Sequence, residues 1–119
     1  MAPGEILSEI RMPSTGRGVA YVKAEQKASG FALCGVAAVL DAKGGVRVGV
    51  TGVAATAYRA SAVEQALAGK TMNAAAITAA ASHAADGVDP LSDIHATGEY
   101  RLHLARVNTA RALTQALGR

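Results

Sequence analysis

The chain has 119 residues, of which half are hydrophobic, 18% charged and 3% aromatic, with a formal net charge of +3 and a single cysteine. This composition suits one compact domain, residues 1–119, and excludes disordered, collagen-like and disulfide-framed classes. The 12 basic and 9 acidic residues are scattered rather than clustered, so they leave no nucleic-acid footprint. No apolar run approaches a membrane span and the N-terminus lacks the pattern of a signal peptide, which leads to the expectation of a cytoplasmic protein.

Pro3, Gly4, Pro13, Ser14, Gly16 and Gly18 punctuate the start of the chain. They leave room for one short extended piece, Ile6 to Arg11, read as a lead-in arm with Ile6 and Ile10 as anchors. From Val19 to Lys27 the residues alternate, so that Ala20, Val22 and Ala24 share one face and Tyr21, Lys23 and Glu25 the other. After a break at Ser29-Gly30, the run from Phe31 to Ala42 is apolar on both faces, which predicts a central strand covered on each side. Lys43-Gly44-Gly45 supplies the positive φ angles of a tight hairpin, and the chain returns through Val46, Val48 and Val50 as a third strand.

The remainder reads as helix. Ser61 is placed to cap a short helix through Leu67 that Gly69 closes, and Ala74 to Ala85 follows Asn73 as a run of strong helix formers. A last helix is expected from about Ala96 to Leu117, with Tyr100, Leu104, Val107 and Leu113 as its apolar stripe. Arg101, Arg106 and Arg111 sit five apart, which spreads them around that helix as solvated groups. Strands first and helices afterwards give an α+β class: a three-stranded antiparallel sheet followed by a three-helix bundle.

Little in this order carries chemistry. His83, His95 and His103 have no metal-ligand spacing and read as surface or interface residues, while Asp86, Asp89 and Asp93 miss the spacing of a calcium loop and read as loop and cap residues. Neither Ser61 nor Cys34 has an orienting base in a nucleophile motif, so no catalytic residue is assigned. No strand-to-helix glycine turn is present to grip a pyrophosphate. What remains is Tyr21, Lys23 and Phe31, a cation and two aromatics near the ends of adjoining strands. A flat aromatic can cover a ring system and an ammonium can stabilise charge on a reduced ring, although core packing and a solvated lysine account for the same residues.

Four ordered segments resemble a known family. APGEILSEIRMP is similar to the segment leading into the domain, and GVAYVKAEQKASGFALCGVAAVL to flavin-side strands of the form AYxKxxRRxxDFAxxxxA. TGVAATAYRASAVEQALAGK resembles GGVAPTPxRAxxxExxLxGK, and DPLSDIHATGEYRLHLARVNTARAL resembles DPxSDxxASxEYRxHLxxxLxxRAL. Together they resemble the C-terminal domain of the flavoprotein (medium) subunit of carbon monoxide dehydrogenase, within the xanthine dehydrogenase family of molybdenum hydroxylases.

The resemblance implies a domain that closes over the isoalloxazine of FAD held mainly by two other domains, with electrons arriving through iron-sulphur clusters from a molybdenum subunit. By motif it places Lys23 near the flavin ring and Phe31 against it, and Tyr21 is the third candidate cofactor-binding residue. The sequence departs from the pattern at Gln26 and Lys27, which stand for two arginines, and at Gly30, which stands for an aspartate. The glycine motifs of the FAD-binding domains are absent from the 119 residues, so tight FAD binding by this stretch alone is not expected. The implied partners are a flavin-binding domain or subunit and the molybdenum and iron-sulphur subunits. The second reading, from a different class, is a homo-oligomeric interaction or small-ligand-binding module that has left flavin binding.

Overall fold

A computed structural model describes residues 2–11 and 18–118. In chain order it has strands β1 (Val19–Glu25), β2 (Ala32–Leu40), β3 (Val46–Thr51) and β4 (Tyr58–Arg59). Helices α1 (Ser61–Leu67) and α2 (Ala74–Ala81) follow, then a 3₁₀ turn over Ser82–Ala85 and helix α3 (Gly98–Leu117). The expected α+β class with an antiparallel sheet and three helices is present, but the sheet has four strands in the order β1-β2-β3-β4, not three. The additional strand is only two residues long, too short to show a period in the sequence. It pairs Arg59 with Gly49 and Tyr58 with Val50.

Register decides which side chains share a face. Ala20 pairs with Ala38, Val22 with Val36 and Ala24 with Cys34, while Val36 pairs with Val50 and Ala38 with Val48. These residues form the inner face, and α3 packs across it over β2 and β1. Helix α1 packs on β3, and α2 lies between α1 and α3. Val36, Val48, Val63, Leu67 and Leu113 are fully buried in one core with the helix alanines. Each such valine or leucine contributes about 1.5–3 kcal/mol relative to exposure, whereas the alanines contribute close packing more than area.

Several local expectations change. Ser61 does not cap α1; the cap position is Ala60, without a side-chain hydrogen bond. The helix start is held instead by Glu64, which accepts from the Val48 N–H at 2.9 Å and from Arg59 Nε at 2.6 Å. Partial burial works to raise the Glu64 pKa, but the Arg59 guanidinium and the Val48 N–H outweigh it and hold the carboxyl below its usual range. Asn73 does cap α2, accepting from the Ala76 N–H at 2.9 Å. That helix ends at Ala81 and tightens into the 3₁₀ turn rather than continuing to Ala85. Helix α3 starts at Gly98, not near Ala96, because Thr97 accepts from the Tyr100 N–H and so marks the first turn. In the β2–β3 hairpin only Gly44 has positive φ; Gly45 does not.

Ile6 and Ile10 are exposed and, among the described residues, do not act as the expected anchors, with Ile6 at 90%. Pro13, Ser14 and Gly16 lie outside the described residues. Among the described residues no helix is long and apolar enough to cross a membrane.

Candidate functional site

Among the described residues no element packs on the outer face of the sheet, contrary to the expectation that β2 is covered on both sides. Tyr21 opposes Ala37 and Lys23 opposes Gly35, while Ala37 opposes Gly49 and Gly35 opposes Thr51. Glycine and alanine at these central positions make a flat floor that raises nothing larger than a methyl group of its own. Tyr21 lies along the floor, since a Cβ at Gly35 would collide with the Tyr21 hydroxyl. The resulting shallow groove has a volume of about 400 Å³, and Thr51, Tyr58 and Arg59 close its far side.

Lys23 stands at the end of this face. Its Nζ donates to the Gly30 carbonyl at 2.7 Å and pairs with Glu25 Oε2 at 2.9 Å. The β1–β2 turn that carries Gly30 is closed by the Gly30 N–H to Gln26 O bond at 2.7 Å and the Gln26 N–H to Phe31 O bond at 3.0 Å. Gly30 sits at φ +73°, a left-handed conformation that explains a glycine where the family pattern has an aspartate. Gln26 serves the same turn, its side-chain oxygen accepting from the N–H groups of Ala28 and Ser29.

Phe31 is half exposed, and its ring meets His95 edge to face with centroids 5.2 Å apart. Tyr21 and Lys23 share the outer face of β1, whereas Phe31, just before β2, packs on the loop before α3 and not on the floor. That loop is organised by Asp93, whose Oδ1 accepts from the N–H groups of His95 and Ala96 at 2.9 and 3.0 Å. These bonds, the His95 N–H foremost, together with Arg101 hold the Asp93 carboxyl below the usual carboxylate range. The loop role expected of Asp93 is thus its observed one.

Arg101 is the residue that the sequence reading misplaced. It is 2% exposed, not solvated. One guanidinium nitrogen donates to the carbonyls of Leu33 at 2.9 Å and Gly52 at 2.6 Å, and the other to Asp93 Oδ2 at 2.7 Å. A signal was available: an arginine in the first turn of a helix opposes the macrodipole and needs a specific acid or carbonyl partner. Tyr100, expected in the apolar stripe of α3, is exposed. Asn108 and Thr109 are buried beside the sheet, with the Asn108 amide donating to the Cys34 carbonyl at 3.3 Å. Burial pushes the Cys34 thiol up to about 11, which makes it unreactive.

Of the remaining polar residues, His83 pairs with Asp86 at 2.7 Å on the surface, and His103 and Asp89 are exposed. Among the described residues no group of three His, Cys, Asp or Glu is placed to hold a metal ion. For FAD the fit is divided. The flat apolar floor, the Tyr21 phenol and the Lys23 ammonium suit one side of a planar ring system, whereas among the described residues no glycine turn opening a helix offers N–H groups to a diphosphate.

The family described as CO dehydrogenase flavoprotein C-terminal domain matches residues 19–116. The carbon monoxide dehydrogenase medium chain of Afipia carboxidovorans is 35% identical over 98% of this chain and 43% of its own length. Subunit alpha of the 6-hydroxypseudooxynicotine dehydrogenase complex of Paenarthrobacter nicotinovorans is 32% identical over 98% and 42%. Among solved structures, carbon monoxide dehydrogenase from Hydrogenophaga pseudoflava, in a form lacking the Mo-pyranopterin moiety, superposes with a TM-score of 0.79. It is 36% identical, over 88% of this chain and 38% of that one. The chain thus spans about two fifths of the length of these relatives. On the length and order of these matches, the chain belongs to the CO dehydrogenase flavoprotein C-terminal domain family, the C-terminal domain of molybdenum hydroxylase medium subunits.

Proposed function

We propose that this chain is the non-catalytic C-terminal domain of a molybdenum hydroxylase flavoprotein subunit, and that its open sheet face covers the isoalloxazine of FAD. The open floor of Ala37 and Gly49, bounded by Tyr21 lying over the buried Gly35 and by Lys23 at its end, carries the reading. An apolar face of this kind on a small domain marks a contact surface. Its shape suits a planar ring, and the Lys23 ammonium stands at one edge, where charge on a ring heteroatom would be met.

When bound, FAD supplies the redox chemistry. This chain supplies a lid that excludes water from one ring face, with Lys23 held in place by Gly30 and Glu25 and Tyr21 lying beside the ring. The diphosphate is gripped elsewhere, by a flavin-binding domain or subunit, and the molybdenum and iron-sulphur subunits complete the electron path. The assembly is placed in the reducing cytoplasm, where the buried Cys34 stays unpaired.

The test uses a hybrid medium chain in which this sequence replaces the matching part of the Hydrogenophaga pseudoflava protein. Lys23→Ala in the hybrid removes a cation next to charge that grows on reduction. The flavin reduction potential is expected to fall by on the order of 30 mV, about 1.4 kcal/mol for two electrons. An unchanged potential and visible spectrum would remove Lys23 from the flavin surface and with it the main support for the reading.

A further inference from the structure

We infer that Gln26 and Gly30 are positioning residues that act through Lys23: the turn between β1 and β2 sets a backbone carbonyl beside the ammonium and fixes it on the outer face of β1. Both are positions where the chain departs from the family pattern, so the arrangement belongs to this chain. That the fixed ammonium serves a bound ring rests on the ring-covering reading above, whereas the positioning itself rests on the turn's own geometry.

A lysine ammonium on a strand surface ordinarily wanders at the end of a flexible four-carbon stem. Lys23 Nζ instead has two oxygens, the Gly30 carbonyl at 2.7 Å and Glu25 Oε2 at 2.9 Å. The Glu25 side chain is half exposed, and an ion pair of that kind fixes little by itself. The carbonyl belongs to the backbone and is the stiff half of the pair. What fixes the Gly30 peptide therefore fixes the ammonium.

Three features do so. Gly30 has φ +73° although nothing lies within 4 Å of its Cβ position, so glycine is there for its conformation and not for space. The Gly30 N–H donates to the Gln26 carbonyl at 2.7 Å and the Gln26 N–H to the Phe31 carbonyl at 3.0 Å, which brackets the Gly30 carbonyl on both sides. Within the turn, the Gln26 side-chain oxygen accepts from the N–H groups of Ala28 and Ser29. The register also slips between Ala24 and Glu25, so that Glu25 opposes Ala32, an irregularity of the kind that re-aims strand side chains.

Reversing the chain does not require an ammonium in the turn. The β2–β3 hairpin uses the same device, Asp41 accepting from the Lys43 and Gly45 N–H groups, and leaves Lys43 exposed. Only the first turn delivers a carbonyl to a lysine of the open face. An ammonium held in this way meets charge growing on a ring without having to reorganise.

The test is competitive acetylation of the whole chain with limiting acetic anhydride, read lysine by lysine by peptide mass spectrometry. The exposed Lys43 and Lys70 are the internal references. Lys23 is expected to react about fivefold more slowly than these, because its amine must first leave two oxygens. Gln26→Ala should raise the Lys23 rate about threefold and leave Lys43 and Lys70 unaltered, whereas Gln26→Glu keeps an oxygen of the same reach and should keep the slow rate. Gly30→Asn tolerates the left-handed conformation and should also stay slow, while Gly30→Val does not and should be fast. Should Gly30→Val fail to fold, the contrast of Gln26→Ala with Gln26→Glu decides alone.

In the hybrid medium chain, Gln26→Ala should lower the equilibrium constant for flavin reduction about threefold and add nothing once Lys23→Ala is present. A Lys23 rate that Gln26→Ala leaves unchanged overturns the inference, as does a flavin effect of Gln26→Ala that is equal with and without Lys23. If the acetylation pattern is found but neither Lys23→Ala nor Gln26→Ala alters the flavin, the positioning stands and the ring-covering reading fails.

Discussion

Arg101→Met is expected to lower the stability of the chain by about 3–5 kcal/mol, the range seen when one partner of a buried charged cluster is removed. Two effects add. The Leu33 and Gly52 carbonyls lose their donor at the end of the sheet, and each buried carbonyl left unpaired costs about 1–3 kcal/mol. Asp93 also loses its cation, but its carboxylate is partly exposed and finds water. One effect opposes: Arg101 Nε has no partner among the described residues, and methionine removes that desolvated group. Methionine fills much of the same volume, so the loss reports on hydrogen bonding more than on a cavity. Urea denaturation with an unchanged m-value and a midpoint shift of this size checks the prediction. In a thermal scan the fall is roughly 15 °C. A loss below about 1 kcal/mol would mean that the guanidinium does not hold the sheet to α3.

Gly52→Ala is the second large effect. Gly52 has φ +80°, and a Cβ there would stand 2.5 Å from the Ala32 carbonyl oxygen and 2.9 Å from that of Leu33. Both obstacles are backbone, so relief requires the ends of β2 and β3 to separate. The left-handed conformation alone costs an alanine about 1–2 kcal/mol. Separation also pulls the Leu33 and Gly52 carbonyls away from Arg101, which takes the total to on the order of 3 kcal/mol. Gly44 provides the control: its φ is +82°, but nothing lies within 4 Å of its Cβ position. Gly44→Ala should therefore show the conformational cost only, and the difference between the two variants in one denaturation series measures the close approach at Gly52. Equal losses would contradict the packing described at that end of the sheet.

The legible parts of this molecule are those where a local period or a local cap decides the outcome. Alternation from Val19 to Glu25 correctly separates Ala20, Val22 and Ala24 from Tyr21 and Lys23, because a strand beside a helix layer must sort its faces. Asn73 is legible as a cap for the same local reason. Long-range pairing is not legible in this way. Arg101 reads as a solvated arginine because its carbonyl partners are 68 and 49 residues away and carry no sequence signature. The apolar run in β2 predicts a cover on both sides, and the described residues supply only one. Residue types report how apolar a face is, and its cover can lie outside the chain.

The candidate site shows the same division. Lys23, Tyr21 and Phe31 rest on a motif, and the structure adds how Gly30 and His95 hold two of them. Gly30 looks like the loss of an acid in sequence and becomes intelligible through its backbone conformation. His95 escapes a sequence reading because a surface histidine is ordinary until its neighbours are known.

The most direct test of the central claim is the FAD content of the purified hybrid medium chain, measured with and without this sequence in place. The account predicts that the hybrid retains FAD, with a visible spectrum distinct from that of the remaining part alone, and that Ala37→Arg, which raises a bulky cation from the floor of the open face, releases it. Retention and spectra that are identical whether this chain is present, altered at Ala37 or absent would show that its open face does not cover the flavin.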